Sequence, residues 1–183
     1  MLLSLLSLAL AQTVPMKFRS GKNVYNWPAN WYPKGVSAEG LEDIQREIEA
    51  LHYPFYVVLI QGEALPGTGD GLERLQVATD ELMSEWGGQG MDLGEYSVFS
   101  VAWGEDCDKA PSGRRAGTVC KFFLNTGSTF INGPANFLPS RDHEIFTQHF
   151  LDSVSTTPQD PKGGILRVLG AVDEMLWDRT DPE

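Results

Sequence analysis

Phe55-Tyr56-Val57-Val58-Leu59-Ile60 is the stretch on which the fold turns. A strand with one wet face alternates apolar and polar residues; this one is apolar throughout and rich in β-branched side chains. That is how a strand buried on both faces reads, within a sheet covered by helices on its two sides. Upstream, Leu41, Ile44, Ile48 and Leu51 share one helical face, with Ser37 placed as the N-cap and Tyr53-Pro54 as the stop. Downstream, a loop over Gln61–Asp70 leads to a second helix running to about Trp86. Its inward residues are Leu72, Leu75, Leu82, Met83 and Trp86, and Gly87-Gly88-Gln89-Gly90 ends it. Tyr96–Trp103 and Thr118–Asn125 read as further strands, paired as a hairpin around a long polar segment. Ser140 is placed as the cap of a third helix holding Ile145, Phe146 and Phe150, which Thr156-Thr157-Pro158-Gln159 breaks. Asp160-Pro161 opens a fourth, in the preferred order of cap then proline, carrying Ile165, Val168, Leu169, Val172, Met175 and Leu176. The order α, β, α, β, β, α, α predicts an α/β fold: a three-layer α/β/α sandwich around a mixed sheet. One domain is expected over residues 37–179. Before it, residues 12–36 form a Trp/Pro/Asn-rich arm centred on Asn26-Trp27-Pro28-Ala29-Asn30-Trp31-Tyr32-Pro33, expected to be irregular and to pack across the domain surface.

The chain has 183 residues, with 14 Lys plus Arg against 25 Asp plus Glu, a formal charge of −11. Such a surface repels phosphate backbones and anionic lipid, which argues against nucleic acid as a partner and favours cations or basic protein surfaces. Residues 1–11, MLLSLLSLALA, are too short to cross a bilayer but read as the apolar part of a signal peptide. They end in Ala9-Leu10-Ala11, an A-x-A cleavage pattern, and lack a basic leading region. No other stretch is long and apolar enough for a transmembrane span of its own. The two cysteines, Cys107 and Cys120, agree with an oxidising compartment. A bridge between them would close a short loop, worth ~3 kcal/mol in the chain-entropy account. The expected location is therefore periplasmic or secreted.

Chemistry-bearing motifs are sparse. Gly67-Thr68-Gly69-Asp70-Gly71 lies between a strand and a helix, where glycine loops cradle phosphate. Its spacing is not that of a dinucleotide or P-loop motif, no lysine follows, and Asp70 reads better as the helix N-cap. Glu105-Asp106-Cys107-Asp108 follows the second strand, and Asp92 with Glu95 precedes it. These hard oxygen ligands suit Ca²⁺ or Mg²⁺ without matching an EF-hand; a solvated acidic loop is the plainer alternative. His52, His143 and His149 have no metal-binding spacing, and no serine sits in a nucleophile elbow. Lys109, Arg114 and Arg115 form a basic cluster inside the loop that the Cys107–Cys120 bridge would close, read as salt-bridged.

From Ser37 to Asp178 the pattern resembles the TPM domain, a family named for thylakoid-lumen, photosystem-repair and receptor-accessory proteins. The residues that carry the likeness are the strand at Phe55–Ile60, the helix ending Glu85-Trp86-Gly87 with Gly90, the apolar strand after it, and Gly163-Gly164-Ile165 leading into an amphipathic helix. The resemblance implies an exported α/β/α sandwich. It also implies either a divalent-metal site with phosphatase activity or an accessory role in a membrane-associated complex. A metal site would draw on Asp70, Asp92, Glu95 and Asp106, holding Ca²⁺ or Mg²⁺ as the cofactor. The sequence departs from the family pattern at Gly94-Glu95, where Asn-Gly is usual. It departs again at Asn125-Thr126-Gly127-Ser128-Thr129, which has no carboxylate. These departures tip the expectation toward a non-catalytic subunit with a protein partner in the cell envelope. Nothing in the sequence sets the oligomeric state.

Overall fold

The computed structural model describes residues 14–104, 121–127, 139–154 and 159–180. Within them run strand β1 (Val24–Trp27), helix α1 (Ala38–Ile48), β2 (Phe55–Gln61), a single 3-10 turn (Gly62–Ala64), α2 (Gly71–Gly88), β3 (Ser97–Trp103), β4 (Lys121–Thr126), α3 (Pro139–Val154) and α4 (Pro161–Thr180). The four strands make one mixed sheet in the order β1-β2-β3-β4. β1 and β2 are parallel, as are β2 and β3, while β4 returns antiparallel to β3. The expected hairpin relation of the last two strands is therefore present, and the fold is α/β.

Each strand splits its side chains between two cores. Val57, Leu59, Phe99, Val101, Phe122 and Leu124 point to one face and meet Ile44 and Ile48 of α1, Phe146 and Phe150 of α3, and Ile165 to Leu176 of α4. Val58, Ile60, Val98 and Ala102 point to the other and meet Leu75, Leu82, Met83 and Trp86 of α2. The uninterrupted apolar run of β2 is thus explained, since both of its faces are covered. A polar contact between α2 and β3 is buried as well: Thr79 Oγ1 donates to Ser100 Oγ at 2.9 Å.

The arm is not wholly irregular. Four of its residues, Val24-Tyr25-Asn26-Trp27, form β1 and add a parallel edge to β2. Val14 and Met16 are buried against α2, and Trp86 Nε1 donates to the Met16 carbonyl at 2.6 Å. Gln45 of α1 fixes the start of β1 by accepting from the Asn23 and Val24 amides at 2.7 and 3.2 Å. A four-residue strand containing asparagine and followed by proline carries almost no local signal; its pairing is set by these distant anchors.

Smaller expectations also shift. α1 ends at Ile48 rather than at Tyr53-Pro54, and Leu51 packs from the following turns. α3 begins at Pro139, so Ser140 stands inside the helix rather than at its cap, and Ile145 is 43% exposed instead of inward. Ser37 and Asp160 hold as placed. Gly40 N donates to Ser37 Oγ at 3.1 Å, and Gly163 N to Asp160 Oδ1 at 2.8 Å, with Pro161 opening α4. Among the described residues no helix is long and apolar enough to cross a membrane.

The steps β1 to β2 and β2 to β3 go the same way across the sheet, yet their helices α1 and α2 lie on opposite faces. The two crossovers therefore have opposite hands, and one of them departs from the strong right-handed preference of such units.

Candidate functional site

The connections leaving β1 and β2 diverge to opposite faces, the arrangement that opens a ligand crevice beyond the carboxyl ends of parallel strands. The β2 connection is tightly built. Gly62 approaches Gly104 so closely that a Cβ on it would lie 3.1 Å from the Gly104 amide nitrogen. Gly67 and Gly69 hold positive φ values of 86° and 112°, which side chains rarely adopt. Arg74 Nε donates to the Pro66 carbonyl at 3.1 Å, and its Nη2 to the Leu65 carbonyl, folding the loop onto α2. Asp70 caps α2, its Oδ1 accepting from Leu72 N at 2.8 Å. A cavity of about 180 Å³ lies between this loop and α2, with Glu73, Arg74, Val77 and Glu81 in its wall. Asp70 thus serves as the N-cap in place of a phosphate-binding loop, as its charge requires.

Asp92 and Glu95 lie at the other end. They follow the C-terminus of α2, whose 18 residues separate them from Asp70 by about 27 Å at 1.5 Å per residue. Asp92 Oδ1 closes a turn by accepting from Gly94 N at 2.7 Å, and Glu95 is exposed. One ion cannot be held by Asp70 together with Asp92 and Glu95, and among the described residues no three His, Cys, Asp or Glu side chains gather as a metal site. The reason is topological: sequence neighbours of one strand lie at opposite ends of the layer when a full-length helix intervenes. Asp106, Cys107 and Cys120 lie outside the described residues, as do the basic cluster Lys109, Arg114 and Arg115 and the side chain of His143.

Two polar groupings had no sequence motif. On the α2 face, Asn125 Nδ2 donates to Asp80 Oδ1 at 2.6 Å and Tyr96 Oη to Asn125 Oδ1 at 3.3 Å. Crowding by neighbours raises the Asp80 carboxyl, partly countered by the Asn125 bond. The Tyr96 hydroxyl is raised by burial and then by the Asp80 charge; Tyr56 is raised by burial and then by Asp92.

On the opposite face, Asp173 of α4 is 5% exposed. Its Oδ1 accepts from the His52 and Tyr53 amides at 3.0 and 3.2 Å, and His52 Nδ1–H donates to Oδ2 at 2.7 Å. Trp177 stacks on the imidazole with ring centroids 4.2 Å apart. An acid-held histidine is half of a proton-transfer device. Among the described residues, however, no hydroxyl or thiol bonds its ring, and the two backbone bonds make Asp173 chiefly a clamp for the turn into β2. The partners are 121 positions apart. The only trace in the sequence is a carboxylate, Asp173, inside the apolar stripe of α4.

No family model matches the chain, and no curated protein matches it. Among solved structures the chain is similar to the N-terminal domain of the cg2496 protein of Corynebacterium glutamicum. The two are 11% identical, the match covers 88% of this chain and 84% of that one, and the TM-score is 0.47.

Proposed function

We propose that the chain is an extracytoplasmic, TPM-like domain that acts as a non-catalytic interaction or accessory subunit of an envelope or membrane-associated complex. The observation that carries this reading is the division of its carboxylates between the two ends of α2. Asp70 is committed to a helix cap and Asp92 to a turn, so the residues expected to bind one cation have separate structural duties. Crosslinking in the native envelope followed by purification should recover a defined protein partner in constant proportion. Recovery of the chain strictly alone defeats the reading.

The second reading is a divalent-metal-dependent acid phosphatase, in which a cation offsets charge on a phosphoryl group. It is favoured by the Glu63 carboxylate lying beside Gly104, at the carboxyl ends of β2 and β3 from which the chain continues toward Asp106. Turnover of p-nitrophenyl phosphate, with Ca²⁺ or Mg²⁺ and with chelator, separates the two readings. On the phosphatase reading Asp70→Asn abolishes metal-dependent turnover while Asp92→Asn leaves it, because Asp70 and not Asp92 is at that end of the sheet.

A further inference from the structure

The charge of this acidic chain is unevenly placed. The first carboxylate in the sequence is Glu39, and before it stand Lys17, Arg19, Lys22 and Lys34. Three of those four cations line one groove of about 400 Å³ between the arm and β1, with Tyr25, Asn26 and Trp27 in its wall. Among the described residues no Asp or Glu lines the groove, and no ion pair involves Lys17, Arg19 or Lys22.

The backbone holds these cations in place. Along the arm Val14 and Met16 are buried while Lys17 and Arg19 are exposed, so anchoring Met16 on Trp86 turns the charged residues away from α2. Lys22 N donates to the Arg19 carbonyl at 3.0 Å, closing a turn in which Gly21 has φ 78°. The Tyr25 hydroxyl pins the same turn. It accepts from Arg19 N at 3.1 Å and donates to the Arg19 carbonyl at 3.3 Å. Lys22 Nζ lies 5.0 Å from the centroid of the Tyr25 ring. Partial burial and the neighbouring Arg19 charge hold the Lys22 ammonium below its ordinary pKa. Like charges have thus been brought together at a cost that an anion between them removes.

We propose that this groove is a binding site for a small molecule carrying a phosphate group on a flat apolar body. The guanidinium of Arg19 offers the forked donor that a phosphate oxygen pair fits, and the two lysines supply point charges. Half-buried Trp27 provides apolar wall for the body, and the volume suits a small ligand better than a folded partner. The inference stands apart from the accessory role, because it uses none of the carboxylates on which that reading rests.

The test is titration of the full chain with phenyl phosphate, with inorganic phosphate and phenol as separate arms, followed by amide chemical shifts. Phenyl phosphate should shift Arg19 to Tyr25 and bind more tightly than either fragment. Raising NaCl from about 50 to about 500 mM should weaken it severalfold. The triple variant Lys17→Gln/Arg19→Gln/Lys22→Gln should weaken binding by about tenfold or more. Lys34→Gln, a cation of the same segment outside the groove, should leave it unchanged. Thermal melting of both variants checks that the fold persists. The proposal is overturned by a phenyl phosphate Kd weaker than about 10 mM, by shifts elsewhere, or by binding that survives the triple change. Binding of an oligoglutamate peptide without binding of phenyl phosphate overturns it in favour of an acidic segment.

Discussion

Asp173 and Asp80 show how differently two carboxylates act under two kinds of burial. Asp173 has exchanged water for two amides and an imidazole. Its removal leaves two backbone N–H groups without their acceptor at the turn into β2. Asp173→Ala should cost about 3 kcal/mol in urea unfolding, the range for losing charged hydrogen bonds and stranding their donors. Asp173→Asn keeps one acceptor oxygen for the two amides and should lose clearly less. Asp80 is exposed but crowded, and its carboxyl is raised. A carboxyl raised in the folded state contributes stability that is fully present below its unfolded pKa, about 3.9, and lost as pH rises through the folded value. Asp80→Asn keeps an acceptor for Asn125 and removes that loss. The variant should therefore gain on the parent as pH rises above that range, and match it in stronger acid. The same change removes the second cause of the Tyr96 shift, so Tyr96 should ionise earlier in an alkaline absorbance titration, identified by difference from Tyr96→Phe. Burial keeps it above the ordinary value even then. Neither carboxylate was legible as a site. Asp80 meets Asn125 45 positions on, and His52 meets Asp173 across the whole domain, so no local spacing encodes either pairing.

Among the elements, those that declare themselves in the sequence are those whose stability is local or whose burial is total. β2 is buried on both faces and reads as an unbroken apolar run. α2 and α4 have strong starts at Asp70 and Asp160, where a short side chain reaches back to an amide. β1 is the opposite case, with a parallel pairing fixed by Gln45, Asn23 and the arm rather than by its own residues. Trp86 is the hinge of that dependence. It is fully buried, packs tilted against Tyr25 with ring centroids 4.3 Å apart and donates to Met16. Trp86→Phe keeps an aromatic ring but leaves the Met16 carbonyl unpaired, at a cost of roughly 1–3 kcal/mol. The arm should loosen before the domain does. Trypsin should cut after Lys17, Arg19 and Lys22 much faster in the variant, under conditions where the sheet remains folded. Equal cutting rates refute the anchoring role. The segment between β3 and β4 carries the remaining element-scale prediction. If Cys107 and Cys120 are bridged, alkylation without reductant should label neither in protein from its native compartment, and Cys107→Ser should cost ~2–4 kcal/mol. Two labelled thiols defeat the bridge and the exported location together.

At the scale of the whole molecule, the sequence made the two-sided covering of the sheet legible because period and apolar run length report burial directly. It did not make legible which ends of the layer meet, because that depends on the direction of each helix. The described carboxylates do not gather for this reason: Asp70 caps the start of α2, while Asp92 and Glu95 follow its end. The arm has a further consequence in time. Met16 waits for Trp86, 70 positions later, and β1 waits for β2. At a synthesis rate of about 5–20 residues per second, this segment spends roughly 4–14 s without the surface it belongs to. During that interval Val14, Met16 and Phe18 are open to whatever binds nascent apolar chain. The arm thus cannot settle until Trp86 has followed it, and its positively charged turn is on offer to the surroundings before most of the acidic body behind it has been made.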